Sequence, residues 1–327
     1  MKRFKQILCV IDSYDQAFTA LTQAVEIAKK HQAKLRLISV IKKAGPFIPF
    51  IQSQEDYDQA FNKLLETERE ALNTIVSQRC QDINADVVVV EGISFIEIIR
   101  EVLRYKPDLL VKCSQNESWL ERLFGSDDMH LLRKCPCPVL MLKPGHVTPC
   151  QNILATVDLI TDDFDEEKEY RVQDHLNSLV LEYASSIAAL ESSELHIGSV
   201  WDAFGENFLR YGAIAHTSED TIHRYVEQTH QEYDAKLRAL SQNFKNQVST
   251  DVVEYLKPIT HLVKGLPETE IPEMTRKYDI DLIVMGTVAR TGIAGMFIGN
   301  TAEAILEQVQ CSVLAIKPEG FETPVSL

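Results

Sequence analysis

Asp281-Leu-Ile-Val-Met-Gly-Thr-Val-Ala-Arg-Thr-Gly-Ile-Ala-Gly-Met-Phe-Ile-Gly-Asn-Thr301 runs from a short apolar segment through a glycine-dotted turn into a helical pattern. Leu282 to Met285 is apolar and partly β-branched, the signature of a strand buried on both faces. Gly286 ends that run where an open parallel sheet presents its ligand crevice. After Gly299, Asn300 and Thr301, the apolar residues Ala302, Ile305, Leu306 and Val309 recur at helical spacing. Strand, glycine turn and helix start in that order offer main-chain N–H groups to an anion, most naturally a phosphate.

Working outward, the words of this stretch occur twice in the chain. Asp281-Leu-Ile-Val284 answers Asp108-Leu-Leu-Val111, and Asn152-Ile-Leu-Ala-Thr-Val-Asp158 answers Gln6-Ile-Leu-Cys-Val-Ile-Asp12. Leu195-His-Ile-Gly-Ser-Val200 answers Leu35-Arg-Leu-Ile-Ser-Val40, and Lys264-Gly265 answers Glu91-Gly92. Cys311-Ser-Val-Leu-Ala-Ile-Lys-Pro318 answers Cys137-Pro-Val-Leu-Met-Leu-Lys-Pro144. The join falls in Gly145 to Cys150, which gives a first domain at 1–146, a linker at 147–151 and a second domain at 152–320.

Between the strand words the period becomes helical. Ala17, Leu21, Ala24, Ile27 and Ala28 mark one face in the first half; Leu176, Leu179, Val180, Tyr183 and Ile187 do so in the second. Long polar helices are predicted over 55–82 and 220–247, and Ile96, Ile99, Val102 and Leu103 mark a helix ended by Lys106-Pro107. Strand–helix–strand alternation implies right-handed parallel crossovers and a sheet covered on both faces. The expected fold class is α/β, two tandem doubly wound five-stranded parallel-sheet domains.

A length of 327 residues suits two domains of about 150 to 170. Lys plus Arg number 33 against 48 Asp plus Glu, a net charge of −15, which argues against nucleic acid and anionic membranes as partners. The seven cysteines form no disulfide framework, and Cys9, Cys113 and Cys311 sit in or beside strand words as small hydrophobes. The apolar run near the start stops at Asp12, too short for a secretory signal, and no segment approaches a membrane span. These readings point to the cytoplasm.

The glycine stretch closely resembles the nucleotide loop of universal stress proteins, Gly-x-x-Gly, nine residues, then Gly-Ser/Thr. Gly286 fills the first place and Gly299-Asn300 the last pair, while Ala289 stands for the second glycine and Asn300 for Ser or Thr. Arg290, Thr291 and Gly292 match common family wording. The resemblance covers nearly the whole chain and is to the tandem (E-type) subtype with a Rossmann-like fold. It implies an internal pseudo-dimer joined through the last strands, Val139 to Lys143 and Val313 to Lys317. It also leaves room for a homodimer of the tandem chain and for protein partners that the sequence does not identify.

What the resemblance implies for the second half is an ATP site. Asp158 would accept hydrogen bonds from the nucleoside, the Val200 backbone would read adenine, and Met285, Gly286, Ala289, Arg290, Gly299, Asn300 and Thr301 would line the triphosphate. Mg²⁺ would arrive with the phosphates. A methyl at Ala289 would cost about 1–2 kcal/mol were its φ positive, roughly tenfold or somewhat more in affinity. In the first half Asp12 and Val40 keep the base side and Gly125-Ser126 the closing pair. Lys112 and Cys113, however, replace the Met-Gly of the strand end. That crevice reads as structural, or as a pocket for an apolar or amphipathic ligand under the proline-stiffened Gly45-Pro-Phe-Ile-Pro-Phe-Ile51.

Other constellations carry less. Cys135-Pro-Cys137 with His130 and His146 lacks the second ligand pair of a zinc site. His223 and His230 share a polar helix face, and the acidic run from Asp162 to Glu169 suits a helix start. There is no Gly-x-Ser-x-Gly elbow, no Gly-x-x-x-x-Gly-Lys-Ser/Thr loop and no general base beside the glycine stretch, so at most weak ATPase activity is expected. Two functions stand open: an ATP-binding protein of stress tolerance acting through ligand-dependent interactions, and a nucleotide-independent interaction scaffold.

Overall fold

The computed structural model describes residues 4–12, 14–42, 53–114, 127–146, 149–159, 167–211, 218–247, 254–287 and 299–327. The chain divides into two compact units, one of Lys2–Thr148, Thr287–Gly299 and Gln310–Leu327, the other of Pro149–Gly286 and Asn300–Val309.

In the unit built on the first repeat, β1 (Gln6–Val10), β2 (Lys34–Ile41), β3 (Ala85–Glu91), β4 (Leu109–Cys113) and β5 (Val139–Leu142) lie parallel in the order β3-β2-β1-β4-β5. Beyond β5 comes β10 (Ser312–Ile316), the last strand of the second repeat, antiparallel with Val313 opposite Met141 and Ala315 opposite Val139. All residues of β5 and β10 are buried. Two fully buried, largely apolar strands of this kind would be open edges if left unpaired, and pairing them removes the hazard. The helices are α1 (Tyr14–His31), α2 (Gln54–Arg79), α3 (Ser94–Tyr105) and α4 (Asp127–Lys134). The predicted long helix at 55–82 thus stops at Arg79, where the next residue, Cys80, is buried and returns its N–H to the Val76 carbonyl.

In the other unit, β6 (Asn152–Thr156), β7 (Glu194–Trp201), β8 (Ile259–Lys264) and β9 (Leu282–Gly286) lie parallel in the order β9-β6-β7-β8. Helices α5 (Glu167–Glu191), α6 (Glu206–Tyr211), α7 (Glu219–Gln247), α8 (Pro267–Lys277) and α9 (Asn300–Leu306) accompany them. Most of the expected face residues are buried, Leu21, Ala24, Ile27 and Ala28 on α1 and Leu176, Val180, Tyr183 and Ile187 on α5, while Leu179 is half-buried. No described helix is long and apolar enough to cross a membrane.

Several words that recur between the halves have structural causes. Asp108 accepts the N–H groups of Lys5 (2.8 Å) and Gln6 (3.2 Å), so its carboxylate pins the start of β1. Asp281 does the same for Gln151 (2.7 Å) and Asn152 (3.2 Å) ahead of β6. Gly92 and Gly265 follow β3 and β8 at φ of 151° and 149°. A Cβ there would stand 2.6 Å from the Glu97 side chain in one half and 2.7 Å from that of Glu270 in the other. Both φ values lie where only glycine is comfortable. Helix α3 ends as expected before Pro107, with Lys106 left-handed at φ 51° and its N–H on the Val102 carbonyl.

Candidate functional site

The second-half site is assembled from the carboxyl ends of three neighbouring parallel strands. Thr156 lies opposite Gly198 on β7, and Ala155 opposite Val284 on β9. Continuing those registers brings Asp158 level with Val200 and one residue beyond the level of Gly286. This end of a parallel sheet is where open α/β folds hold their ligands. Val200 is half-buried on β7 against Val263 of β8, and Met285 is buried.

The backbone of Asp158 is held on both sides by one side chain. Its N–H donates to Asn177 Oδ1 at 3.1 Å, and its carbonyl accepts from Asn177 Nδ2 at 2.8 Å. Gln173 Nε2 donates to the same Asn177 oxygen at 3.2 Å. A buried carboxamide on α5 therefore fixes the strand exit, and Asp158 lines a cavity of about 100 Å³. Gln173, Asp174, Asn177, Lys236 and Asn243 share that wall. The cavity is smaller than the several hundred cubic ångströms usual for a small-molecule site.

The glycine stretch begins with a packing requirement. A Cβ on Gly286 would stand 2.6 Å from Leu176 Cδ2 of α5. Close approach of helix to strand thus accounts for this glycine without any phosphate. From there the chain leaves at Thr287, which is fully buried, and returns at Gly299, whose N–H donates to the Thr287 carbonyl at 3.3 Å. Asn300 and Thr301 are exposed at the start of α9. Ala289 and Arg290 lie outside the described residues, as do Gly125, Ser126 and the 45–51 segment of the first half.

The first-half crevice holds an ion cluster built on a buried lysine. Lys112, 2% exposed on β4, places its ammonium on the Asp12 carboxylate and 2.8 Å from Asp128 Oδ1. Ser114 Oγ donates to the other Asp128 oxygen at 2.8 Å. Burial by itself would lower the lysine pKa, but Asp128 and Asp12 outweigh it and hold the amine firmly protonated. Asp12, the counterpart of Asp158, is thereby engaged by a side chain of its own domain. Val40 is half-buried opposite Val90, as Val200 is opposite Val263.

Sequence reasoning missed two of these residues. Lys112 was visible as a charge in the run Leu-Leu-Val-Lys-Cys, and a buried lysine must find carboxylates. Asn177 gave only the signal of a polar residue on the apolar stripe of α5. Elsewhere, Cys135 Sγ and Cys137 Sγ lie 3.5 Å apart, both buried. Among the described residues no group of three or more His, Cys, Asp and Glu side chains is placed to hold a metal ion.

The sequence and the fold were compared with known proteins. The family model described as "Universal stress protein family" matches residues 3–143 and 175–317. Universal stress protein E of Salmonella typhi is 29% identical over 343 aligned positions, covering 100% of this chain and 98% of that protein. The universal stress protein E homolog of Haemophilus influenzae is 27% identical, covering 97% of this chain and 98% of its own length. Among solved structures, a functionally unknown protein of Pseudomonas aeruginosa PAO1 superposes with a TM-score of 0.62 at 26% identity, covering 97% of this chain and 94% of that one. A universal stress protein from Archaeoglobus fulgidus shares the fold at a TM-score of 0.63 and 17% identity, covering 95% of this chain and 98% of its own. Two matches along one polypeptide, each falling on one copy of the repeated strands, place the chain in the universal stress protein family.

Proposed function

We propose that this chain is a cytoplasmic tandem universal stress protein that binds ATP in its second half and acts in stress tolerance by changing its protein interactions with nucleotide occupancy. One observation carries the reading. Asp12 and Asp158 occupy equivalent strand ends, yet Lys112 engages Asp12, whereas Met285 stands at the equivalent place of the second repeat and Asp158 borders a cavity. A carboxylate so placed suits the donors of a ribose or an adenine amine. The Val200 backbone would read the base, and Gly286, Ala289, Arg290, Gly299, Asn300 and Thr301 would receive the phosphates. Mg²⁺ would be shared between phosphate oxygens and water, as is usual where no dedicated protein cage exists. With no general base nominated beside the phosphates, turnover would be slow or absent.

A nucleotide-independent scaffold is the second reading, and the contact of Leu176 with Gly286 favours it, because that glycine is explained by packing. Calorimetric titration with MgATP separates the two. The nucleotide reading expects binding that Asp158→Ala weakens at least about tenfold, the loss of roughly one good hydrogen bond to a charged group. Absence of binding heat in the wild type favours the scaffold. Ala289→Gly then reports on the methyl: tighter binding than wild type is expected if the loop needs glycine there.

A further inference from the structure

In the first repeat Arg36 of β2 lies over the Tyr105 ring at 4.2 Å and donates to two carboxylates, Asp86 of β3 at 2.9 Å and Glu101 of α3 at 2.8 Å. The repeat sets His196 at the place of Arg36 and Tyr278 at that of Tyr105. The two carboxylates have no counterpart there. Ile259 stands opposite His196 as Asp86 stands opposite Arg36, and Met274 replaces Glu101 four residues before the tyrosine. Instead His261, two residues along β8 from Ile259, sets its Nε2 2.9 Å from His196 Nδ1. Both rings stack on Tyr278, the residue that caps α8. His196 is buried and His261 half-buried. The charged groups facing the pair are Glu194 of β7 and Lys277 of α8. Glu194 Oε1 lies 3.2 Å from His196 Nε2, but its side chain is 54% exposed, so water weakens its hold on a charged ring.

We propose that the His196–His261 pair is a proton-operated latch that ties the edge strand β8 and the end of α8 to β7, and that protonation of both rings releases them. A hydrogen bond between two imidazole nitrogens needs one of them to offer a lone pair, so it stands only while at least one ring is neutral. With both rings protonated every nitrogen is a donor, and two like charges face each other across 2.9 Å without the carboxylates that hold Arg36. The strain falls on a segment able to yield by itself. β8 ends the strand order and pairs with β7, so its opening leaves β6 and β9 in place and uncovers the edge of β7. The latch is independent of the nucleotide reading.

The test is amide hydrogen exchange of the full chain, read by mass spectrometry at several pH values from 7 to 5 and corrected for the intrinsic pH dependence of exchange. Burial lowers the pKa of both rings, so the open form binds protons that the closed form resists, and opening is favoured as pH falls below the ordinary value of 6.5. Protection of β8 and of the end of α8 should therefore drop there, by up to about tenfold per pH unit for each histidine. Strand β3 is the control within the same molecule: its latch is the permanently charged Arg36, and its protection should hold. His261→Gln, which keeps an amide near the ring nitrogen but takes up no proton, should retain more β8 protection at pH 5 than wild type. Met274→Glu restores the carboxylate of the first repeat and should remove the acid response. Parallel loss of protection in β8 and β3 of the wild type overturns the inference, and that comparison needs no variant to fold. A His261→Gln protein that loses β8 protection as steeply as wild type overturns it as well.

Discussion

Lys112 sets its ammonium directly on the carboxylate of Asp12, at the strand end that the repeat makes equivalent to Asp158. The lysine is buried, and Asp128, itself buried, completes the cluster at 2.8 Å. A buried cation with two carboxylates is not a reliable source of net stability, since desolvation offsets most of the attraction. Removing the lysine alone is another matter, because it strands two carboxylates in the crevice. Lys112→Met should lower the unfolding free energy by about 3–5 kcal/mol, measured by urea denaturation at neutral pH. Adding Asp12→Asn and Asp128→Asn should recover most of that loss. A Lys112→Met protein as stable as wild type would show that the cluster is hydrated rather than buried.

The glycines after β3 and β8 make a second prediction. Gly265→Ala forces a Cβ to within 2.7 Å of the Glu270 side chain at a φ of 149°. A cost of about 1–3 kcal/mol is expected for a strained backbone of this kind, and Gly92→Ala should behave alike. Thermal or urea unfolding reads both, and neutrality at either site would mean that the turn relaxes.

A third concerns acid. His196 Nδ1 and His261 Nε2 lie 2.9 Å apart on β7 and β8, and both rings stack on Tyr278, at 5.3 and 4.2 Å. Burial lowers the pKa of both; for His261 the neighbouring His196 and Lys277 add to the effect, while Glu194 opposes it in each. Below the ordinary value of 6.5 the unfolded chain binds protons that the folded pair resists, so stability should fall as pH drops through that point. The slope contributed is at most about 1.4 kcal/mol per pH unit for each histidine. His261→Gln should flatten the curve of unfolding free energy between pH 6.5 and 5. An unchanged slope would place the titrating group elsewhere.

The thiols supply a fourth. All seven cysteines are free and buried, and burial pushes Cys113 up to about 11. Thiolate is the reactive form, so such groups are slow. A thiol reagent such as an aromatic disulfide should find almost no reactive group in the native protein and seven after denaturation. A fast native reaction of Cys135 or Cys137, located by mass spectrometry, would contradict the packing around the 3.5 Å sulfur pair.

Much of this was legible in the residues. The strand words around Ile7, Leu35, Leu109 and Val139 and their repeats around Ile153, Leu195, Leu282 and Val313 all became strands, because a run of apolar residues in a sheet covered on both faces has no other place to go. The stop of α3 at Lys106 followed from Pro107. What escaped was non-local. The partnership of Lys112 joins positions 12, 112 and 128, and no spacing rule connects them. Gly286 reads as a phosphate contact in sequence, and its close packing against Leu176 is visible only in space. The burial of Lys317 depends on Leu132 and Thr287, which sit in other elements. Apolar periodicity reports which face is inside; it does not say which polar group the inside was built around.

The decisive quantity is how many ATP molecules one chain holds. Equilibrium dialysis with labelled MgATP should saturate at one per chain, with affinity at least about tenfold weaker in Asp158→Ala and kept in the Lys112→Met, Asp12→Asn, Asp128→Asn protein. A value of two, a value of zero, or one site whose affinity Asp158→Ala leaves unchanged would contradict the account.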